Sequence, residues 1–173
     1  MPSMPAQIES SRLQLRRWTP NDAAARREAL YISDGHLRPW IPFMSHEPRT
    51  LEATREVLVH YALEFEVGLH HRFAVWADGR LIGEVLLIGG GPAEEREVGY
   101  WQHVSHCGHG YMTEAVDALL TTATEALDVR RYRFRCDRRN SASSAIAKRL
   151  GAEFDALESA GEDVVLEHWL LAG

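Results

Sequence analysis

The segment 97–115 constrains the fold most, because a strand pattern runs through a glycine-spaced turn directly into a helix start. Gly108 and Gly110 can adopt backbone conformations that other residues avoid, so successive N–H groups can turn inward. The helix that follows adds the positive end of its dipole, and this combination favours a site for a phosphate group. An ordinary strand-to-helix connection has the same pattern, and Gly-x-Gly alone is weak evidence. The residues around the turn must therefore decide between the two.

Length and composition predict one domain that spans residues 1–173. Of the 173 residues, 45% are hydrophobic, which is enough for one core and too few for two comfortable ones. No apolar run approaches the roughly 20 residues of a membrane span, and residues 1–11 lack the basic and apolar regions of a signal peptide. The two cysteines, Cys107 and Cys136, are too few for a disulfide framework. We therefore expect free thiols and a cytoplasmic protein with no membrane partner.

The charge balance argues against nucleic acid as a partner. The formal net charge is −6 at pH 7, whereas a protein that competes for nucleic-acid phosphates needs a basic surface. Any anionic ligand must therefore be held by a local arrangement of donors rather than by the overall charge of the protein.

Hydrophobic periodicity predicts a mixed α/β (α+β) sheet covered by helices. Alternation with period two predicts strands, and apolar residues along one helical face predict helices. In chain order, strands are expected at 13–16, 73–77, 81–88, 97–102, 132–136, 154–157 and 164–170. Helices are expected at 23–30, 50–67, 113–127 and 143–150. The order β-α-α-β-β-β-α-β-α-β-β indicates a sheet of about seven strands with helices on both faces.

Four short sequence patterns stand in an order and spacing that chance does not readily produce. They are Ser-Arg-Leu-Gln-Leu-Arg at 11–16, Leu-Arg-Pro-Trp-Ile-Pro at 37–42, Glu-Val-Gly-Tyr-Trp at 97–101, and Asn140-x-x-Ser143 followed by Leu150-Gly151. Together they resemble the Gcn5-related (GNAT) N-acetyltransferase superfamily, and within it the RimJ/RimL type that acetylates protein N-terminal amines. The resemblance covers nearly the whole chain and implies a GNAT fold, in which two parallel strands splay apart to bind coenzyme A.

The resemblance implies that the glycine turn holds the pyrophosphate of acetyl-CoA. When the two glycines are aligned with the family motif Gln/Arg-x-x-Gly-x-Gly/Ala, the cofactor contacts fall on Cys107, Gly108, His109, Gly110, Tyr111 and Met112. Cys107 stands where the family usually has Gln or Arg, and Met112 replaces a small residue, which weakens side-chain help to the phosphates. Backbone N–H groups do most of this binding in the family, so acetyl-CoA is still the expected co-substrate.

The resemblance further implies that the cofactor arm lies along the strand before the turn. A backbone N–H near Tyr100 or Trp101 would face the thioester, and pantetheine would add as a pseudo-strand beside residues up to Gln102. Asn140 would touch the pantetheine arm, and Ser143 would lie beside the sulfur as the general acid. From the spacing alone, Ser143 could equally cap the helix that starts there.

Glu97 is the candidate general base, because strand alternation puts it on the same side as Gly99 and Trp101 along the expected acceptor channel. The alternative is a surface glutamate at a strand edge, with a water, Glu158 or Glu162 taking the proton instead. An α-amine with a pKa near 8 is partly neutral at pH 7, whereas deprotonating a lysine near 10.4 costs about 4–5 kcal/mol. A site with one weak base therefore favours a protein or peptide N-terminal amine.

Trp40 and Phe43 are expected to roof the acceptor pocket, although core packing alone explains aromatic residues of this kind. Small-molecule amines such as antibiotics, polyamines and aminoacyl nucleotides are the alternative acceptors, because the loops of this fold type vary freely. Relatives of this type often pair as dimers, so a homodimer is also left open.

A zinc site is the rival interpretation of the turn. His103, His106, Cys107 and His109 are residue types that bind zinc, and they lie close together in sequence. The glycines separate these candidates, however, and no distant Cys or His pair completes a set of ligands. No metal is therefore expected.

A non-catalytic acyl-CoA sensor is the rival to the enzyme. Cys107 and Met112 depart from the family pattern, which would suit a relative that binds the cofactor without transferring its acetyl group. The presence of Asn140, Ser143 and Glu97 favours catalysis instead.

Overall fold

The computed structural model describes residues 3–173, and its centre is one eight-stranded mixed sheet. The strands are β1 (Gln7–Glu9), β2 (Gln14–Arg17), β3 (His70–Ala77), β4 (Arg80–Ile88), β5 (Glu95–Gln102), β6 (Arg131–Asp137), β7 (Glu153–Ser159) and β8 (Val165–Ala172). They lie in the order β1-β2-β3-β4-β5-β6-β8-β7. β5 and β6 are parallel, and the other neighbouring strands are antiparallel.

The expected mixed sheet is confirmed, with eight strands in place of about seven. The additional strand, β1, has only three residues and buries only Ile8. So short a segment carries too little alternation to be recognised as a strand. It forms because β2 offers a free edge, on which Ile8 lies opposite Leu15.

Helices cover both faces of the sheet, as predicted. They are α1 (Ala23–Ile32), α2 (Asp34–Leu37), α3 (Leu51–Glu66), α4 (Tyr111–Leu127) and α5 (Ser141–Arg149). α4 and α5 pack on the face that carries Phe73, Val85 and Val98. α1 and α3 pack on the opposite face, against Ala74 and Trp101. Across the described part of the chain, none of the helices is long and apolar enough to cross a membrane.

Local hydrogen bonds explain where the helices begin and end. α3 begins after Thr50, whose side chain accepts a hydrogen bond from the Ala53 N–H at 3.1 Å, and it is followed by Gly68 at φ +70°. The short helix α2 was not predicted, and it is separated from α1 by Ser33 alone. The buried Ser33 hydroxyl accepts a hydrogen bond from the Val104 N–H at 3.0 Å. The junction of α1 and α2 is therefore tied to the loop between β5 and α4.

β5 and β6 pair over only part of their length. The parallel ladder runs from Glu95 opposite Arg131 to Val98 opposite Phe134 and then stops. β5 nevertheless continues to residue 102 and β6 to residue 137. Within residues 3–173, no strand pairs with this side of 99–102. The splay implied by the resemblance is therefore present, and it opens a wedge next to the glycine turn.

Candidate active site

The glycine turn has the backbone that an anion site requires. Gly108 has φ +83° and Gly110 has φ +75°, both in the left-handed region that favours glycine. α4 begins at the next residue, Tyr111, and no side chain of the described chain caps it. The N–H groups of the first turn of α4 therefore carry the positive end of the helix dipole without a side-chain acceptor. A phosphate group is the natural partner for such an arrangement.

Two side chains hold this turn in place. Gln102 donates a hydrogen bond from Nε2 to the His106 carbonyl oxygen at 2.8 Å. Arg12 donates from Nη1 to the His109 carbonyl at 2.9 Å and from Nε to Glu114 at 2.7 Å. The Arg12 guanidinium also lies over the Tyr111 ring, 4.6 Å from its centroid. The loop between β1 and β2 thus holds the end of the glycine turn next to α4, and β5 holds the segment that precedes the turn.

A cleft of about 1360 Å³ extends from this turn along the opened strands. The predicted site residues that line it are Trp40, Phe43, Glu97, Tyr100, Trp101, Gln102, Cys107, Gly108, Gly110, Met112, Asn140 and Ser143. His109 and Tyr111 do not line it, and their rings face each other at 5.6 Å between centroids. Met112 is only 3% exposed and belongs to the core, so its backbone is the part placed for a cofactor.

Asn140 and Ser143 have separate roles at the start of α5. Asn140 is the residue that caps the helix, because its Oδ1 accepts a hydrogen bond from the Ser143 N–H at 3.3 Å. The Ser143 hydroxyl is therefore free of capping, and it donates to the Tyr100 hydroxyl at 3.1 Å. Tyr100 in turn donates to the Ser143 carbonyl oxygen at 2.8 Å. This pair of hydrogen bonds fixes the serine hydroxyl between β5 and α5 within the cleft.

The phenol and the thiols near the wedge are kept protonated by desolvation. Burial raises the pKa of the Tyr100 hydroxyl, and its hydrogen bond with Ser143 only partly offsets this. Burial likewise raises the pKa of the Cys136 thiol, again with a partial offset from Ser143. Cys107 at the mouth is exposed, and desolvation by its neighbours still raises the pKa of its thiol. None of these groups is set up as a strong nucleophile at neutral pH.

Glu97 lies at the rim of the cleft, on the same lining as Gly99 and Trp101. Its side chain is 29% exposed and forms an ion pair with Arg135 at 3.4 Å. Arg135 also approaches Glu158 at 3.7 Å, and a hydrogen bond from His168 at 2.7 Å lowers the pKa of Glu158. Glu97 and Glu158 therefore share one ion-pair network through Arg135, and only Glu97 also borders the cleft.

Aromatic side chains form one wall of the cleft on the side of α1 and α3. Trp40 is 36% exposed and lines the cleft beside Phe43. Phe43 also packs against the apolar core between the sheet and α1 and α3, with the Arg26 guanidinium 5.2 Å from its ring centroid. Phe43 therefore lines the cleft and packs in the core, whereas Trp40 lines the cleft and is partly exposed.

A buried carboxylate that the sequence analysis did not single out also borders the cleft. Glu84 on β4 has 0% exposure, and its Oε2 accepts a hydrogen bond from Trp18 Nε1 at 2.7 Å. Arg72 lies 3.6 Å from the other oxygen. Both Glu84 and Arg72 line the cleft on the aromatic side.

Comparison with known families agrees with this geometry. The family model described as an acetyltransferase (GNAT) domain matches residues 12–153, which is most of the chain. The chain belongs to the GNAT acetyltransferase family. Its match to the ribosomal-protein-serine acetyltransferase of Escherichia coli (strain K12) is 27% identical over 113 residues. That match covers 65% of this chain and 61% of the relative, so it spans less than two thirds of the relative's length.

Solved structures show the same fold. A RimL ribosomal L7/L12 alpha-N-protein acetyltransferase in complex with coenzyme A superposes with a TM-score of 0.89 at 20% identity, covering 96% of this chain and 97% of the other. The ribosomal-protein-S5-alanine acetyltransferase from Vibrio fischeri has a TM-score of 0.86 at 21% identity, with 97% of each chain covered. At these identities the likeness establishes the GNAT fold of the chain and leaves its chemistry to the site residues.

The histidines around the turn of this GNAT domain do not converge on one point. The rings of His103 and His106 lie 5.0 Å apart between centroids, and the Cys107 Sγ is nearest to His36 Nε2 at 3.6 Å. Among residues 3–173, no group of three or more His, Cys, Asp and Glu side chains is arranged to hold a metal ion. The described geometry offers no support for the zinc interpretation.

Two residues of this GNAT site, Arg12 and Glu84, were not predicted, although the sequence draws attention to both. Arg12 belongs to the first of the four patterns, but its partner His109 is 97 positions away, and single-sequence periodicity does not report such a contact. Glu84 is the one charged residue in the apolar run 81–88. A lone carboxylate in a buried strand has to be paired or functional, so this interruption was a usable signal.

Proposed function

We propose that this chain is an acetyl-CoA-dependent N-acetyltransferase whose acceptor is the α-amine of a protein or peptide N-terminus. The observation that carries the proposal is the wedge between β5 and β6, which ends beside an uncapped helix start turned by Gly108 and Gly110. Membership of the GNAT family supports the reaction class. The relative named a ribosomal-protein-serine acetyltransferase supports the choice of acceptor.

The residues present fit the parts of acetyl-CoA. The backbone N–H groups at Gly108, Gly110 and the first turn of α4 would bind the pyrophosphate oxygens. The unpaired side of residues 99–102 would bind the peptide-like pantetheine arm as an added strand. Asn140, at the opposite side of the wedge, would contact the same arm. The arrangement would deliver the thioester into the cleft, opposite the wall lined by Trp40, Phe43, Arg72 and Glu84, which we call the acceptor wall.

The transfer needs no covalent enzyme intermediate. The neutral amine nitrogen forms a bond to the thioester carbonyl carbon, and the carbon–sulfur bond breaks with its electron pair on sulfur. The nitrogen loses a proton to a base, and the coenzyme A thiolate gains one from an acid. Direct transfer in a ternary complex is favoured because desolvation keeps the thiols of Cys107 and Cys136 protonated and therefore poorly nucleophilic.

Ser143 is the proposed general acid. Its hydroxyl lines the cleft and is held by Tyr100 rather than used as a helix cap. Because burial raises the pKa of Tyr100, the phenol stays protonated and keeps its hydrogen bond to the Ser143 carbonyl. Tyr100 is therefore a positioning residue, and with the cofactor bound the serine hydroxyl would turn its proton from the Tyr100 oxygen to the departing thiolate.

Glu97 is the proposed general base, directly or through a water. It borders the cleft within the paired part of β5, one residue before the last ladder pair at Val98 and Phe134, where the wedge begins. An α-amine with a pKa near 8 needs little help to lose its proton at pH 7, so one carboxylate at the rim is sufficient. A lysine acceptor would need a stronger base than the site offers.

Release of coenzyme A tests the proposal. The purified chain is mixed with acetyl-CoA and peptides with free N-termini, polyamines or aminoglycosides, and free thiol is measured with a chromogenic reagent. We expect release with the peptides. Release only with polyamines or aminoglycosides would favour the small-molecule alternative, and acetyl-CoA binding without release would favour the acyl-CoA sensor.

The proposal includes a homodimer as the assembly to be tested. β7 forms the outer edge of the sheet, and its Phe154 and Leu157 are exposed. Edge strands with exposed apolar residues commonly pair with another chain. Sedimentation of the purified chain at two concentrations distinguishes a dimer from a monomer.

A further inference from the structure

Glu84 is a carboxylate with only one of its oxygens satisfied. The residue has 0% exposure, and Oε2 accepts the hydrogen bond from Trp18 Nε1 at 2.7 Å. Oε1 is buried and has no hydrogen-bond partner among the described residues. Leaving a buried charged acceptor unpaired costs more than an ordinary hydrogen bond contributes. An incoming hydrogen-bond donor would remove that cost.

The charge around Glu84 is also incompletely balanced. Arg72 is shared between two carboxylates, with Nη1 3.6 Å from Glu84 Oε1 and Nε 3.5 Å from Glu64 Oε2. Its guanidinium stacks on Tyr61 at 4.2 Å from the ring centroid, which holds it between the two. His60 and His70 near Glu64 add positive charge only when protonated. One cation therefore serves two carboxylates in a buried setting, and a second cation would complete the balance.

The position of Glu84 in the sheet places this excess negative charge at the acceptor wall. Glu84 on β4 lies opposite Trp101 on β5, and Trp101 belongs to the part of β5 that no longer pairs with β6. Glu97 lies opposite Arg133, where the two strands are still paired. Both carboxylates line the cleft, but only Glu84 is fully buried on the aromatic side. Trp101 Nε1, on the neighbouring strand, is likewise buried without a partner within the described chain.

We propose that Glu84 receives the ammonium group of the acceptor and orients its nitrogen for attack, while the proton passes through water to Glu97, four residues further along the sheet. This inference rests on the proposed function and assigns the residue that binds the acceptor's amine. An ammonium supplies both missing elements, since it donates a hydrogen bond to Oε1 and adds the second positive charge beside Arg72. The neighbouring Trp101 N–H offers a donor to an acceptor atom next to that amine, such as the first peptide carbonyl.

The first test compares two buried carboxylates. Glu84→Gln keeps the size of the side chain and an oxygen for Trp18 but removes the charge. We expect it to raise the KM for an N-terminal peptide by about tenfold to a hundredfold while the KM for acetyl-CoA changes less than about twofold. Glu47→Gln is the matched control, because Glu47 is also buried and paired with arginine at 3.5 Å but lies outside this cleft. The control should leave both KM values unchanged.

An unchanged acceptor KM in Glu84→Gln would overturn the assignment, and so would an equal rise in both variants. The wild-type protein gives a second measurement that does not depend on the variant folding. With coenzyme A bound, calorimetry compares a peptide that has a free N-terminal ammonium with its des-amino analogue. We expect the ammonium peptide to bind at least about tenfold more tightly. Equal binding of the two peptides would also overturn the assignment.

Further arms of the same assay identify which kind of amine is the acceptor, independently of the role of Glu84. N-terminally blocked peptides with one lysine, and polyamines, present ammonium groups of another origin. If the wild-type protein acetylates only these amines, the proposed N-terminal acceptor is wrong. A raised KM of Glu84→Gln for whichever amine is acetylated would still support the role of Glu84, whereas an unchanged value would refute it.

Discussion

The position of one hydroxyl decides whether Ser143 acts in chemistry or only in folding. Because Asn140 caps α5, replacing Ser143 should cost little stability. We expect Ser143→Ala to lower kcat by about a hundredfold, the lower range for loss of a general acid, with little change in acetyl-CoA affinity. Steady-state kinetics and calorimetry measure the two effects.

Ser144→Ala is the matched control for this prediction. Ser144 follows Ser143 on the same turn of α5, is 5% exposed, and donates to the Ser141 carbonyl at 3.2 Å outside the cleft. Its removal should leave kcat near the wild-type value. If both variants keep full turnover, Ser143 is not the acid.

The buried histidine His71 predicts how stability depends on pH. Burial lowers the pKa of His71 to about 4, with smaller contributions from Arg96 and His70. The unfolded state, in which His71 has its ordinary pKa near 6.5, therefore binds more protons than the folded state between about pH 6.5 and 4. Stability contributed by the neutral ring is present above pH 6.5 and falls by about 2–3 kcal/mol as the pH drops through this window.

Urea unfolding at a series of pH values measures this loss. His71→Leu should flatten the part of the curve between about pH 6.5 and 4, while the same change at the exposed His46 should leave the curve as in the wild type. Identical pH slopes in the wild type and His71→Leu would show that this ring does not carry the effect.

At the scale of elements, we propose that the strand–turn–helix unit binds the cofactor, and the part of its glycine backbone in binding can be tested separately from its part in stability. Gly108 has φ +83° and open space around its α-carbon. A valine there would be strained and would place a branched side chain in the phosphate-binding turn. We expect Gly108→Val to raise the KM for acetyl-CoA at least about tenfold, through loss of charge-assisted hydrogen bonds.

Gly68→Val separates strain from function in this experiment. Gly68 has nearly the same conformation, φ +70°, also with open space, but it ends α3 far from the cleft lining. Both variants should lose a similar free energy of unfolding, on the order of 1–2 kcal/mol. Only Gly108→Val should weaken acetyl-CoA, and equal affinities in the two variants would mean that the turn does not hold the phosphates.

Elements with strong periodicity could be predicted from the sequence, and short ones could not. The long helices and the central strands have enough repeats of 3.6 or 2 residues to identify them, and their predicted bounds fall within a few residues of those observed. β1 and α2 have three and four residues, so they contain about one period each. They depend on tertiary partners, namely the free edge of β2 and the Ser33 hydrogen bond to the loop at Val104.

At the scale of the whole molecule, the same distinction applies to the candidate site. Local order and the family resemblance place residues 97–102, the two turn glycines, Asn140 and Ser143 together, and these residues line one cleft. Arg12 and Glu84 act through partners far away in the chain, Glu114 and Trp18, which only the folded sheet brings near. Most of the cleft lining, including Trp40 and Phe43, was therefore predictable, whereas the contacts of Arg12 and Glu84 were not, and the roles of the lining residues remain predictions.

In the proposed arrangement the cofactor binds in the wedge between β5 and β6 and the acceptor binds on the opposite side of β5, and this is the central claim. The most direct test is a peptide with a free N-terminal serine and one internal lysine, incubated with the chain and acetyl-CoA and sequenced by fragmentation mass spectrometry. The account predicts one acetyl group on the N-terminal α-amine and none on the lysine. Acetylation of the lysine alone, or no acetylation while acetyl-CoA binds, would contradict it.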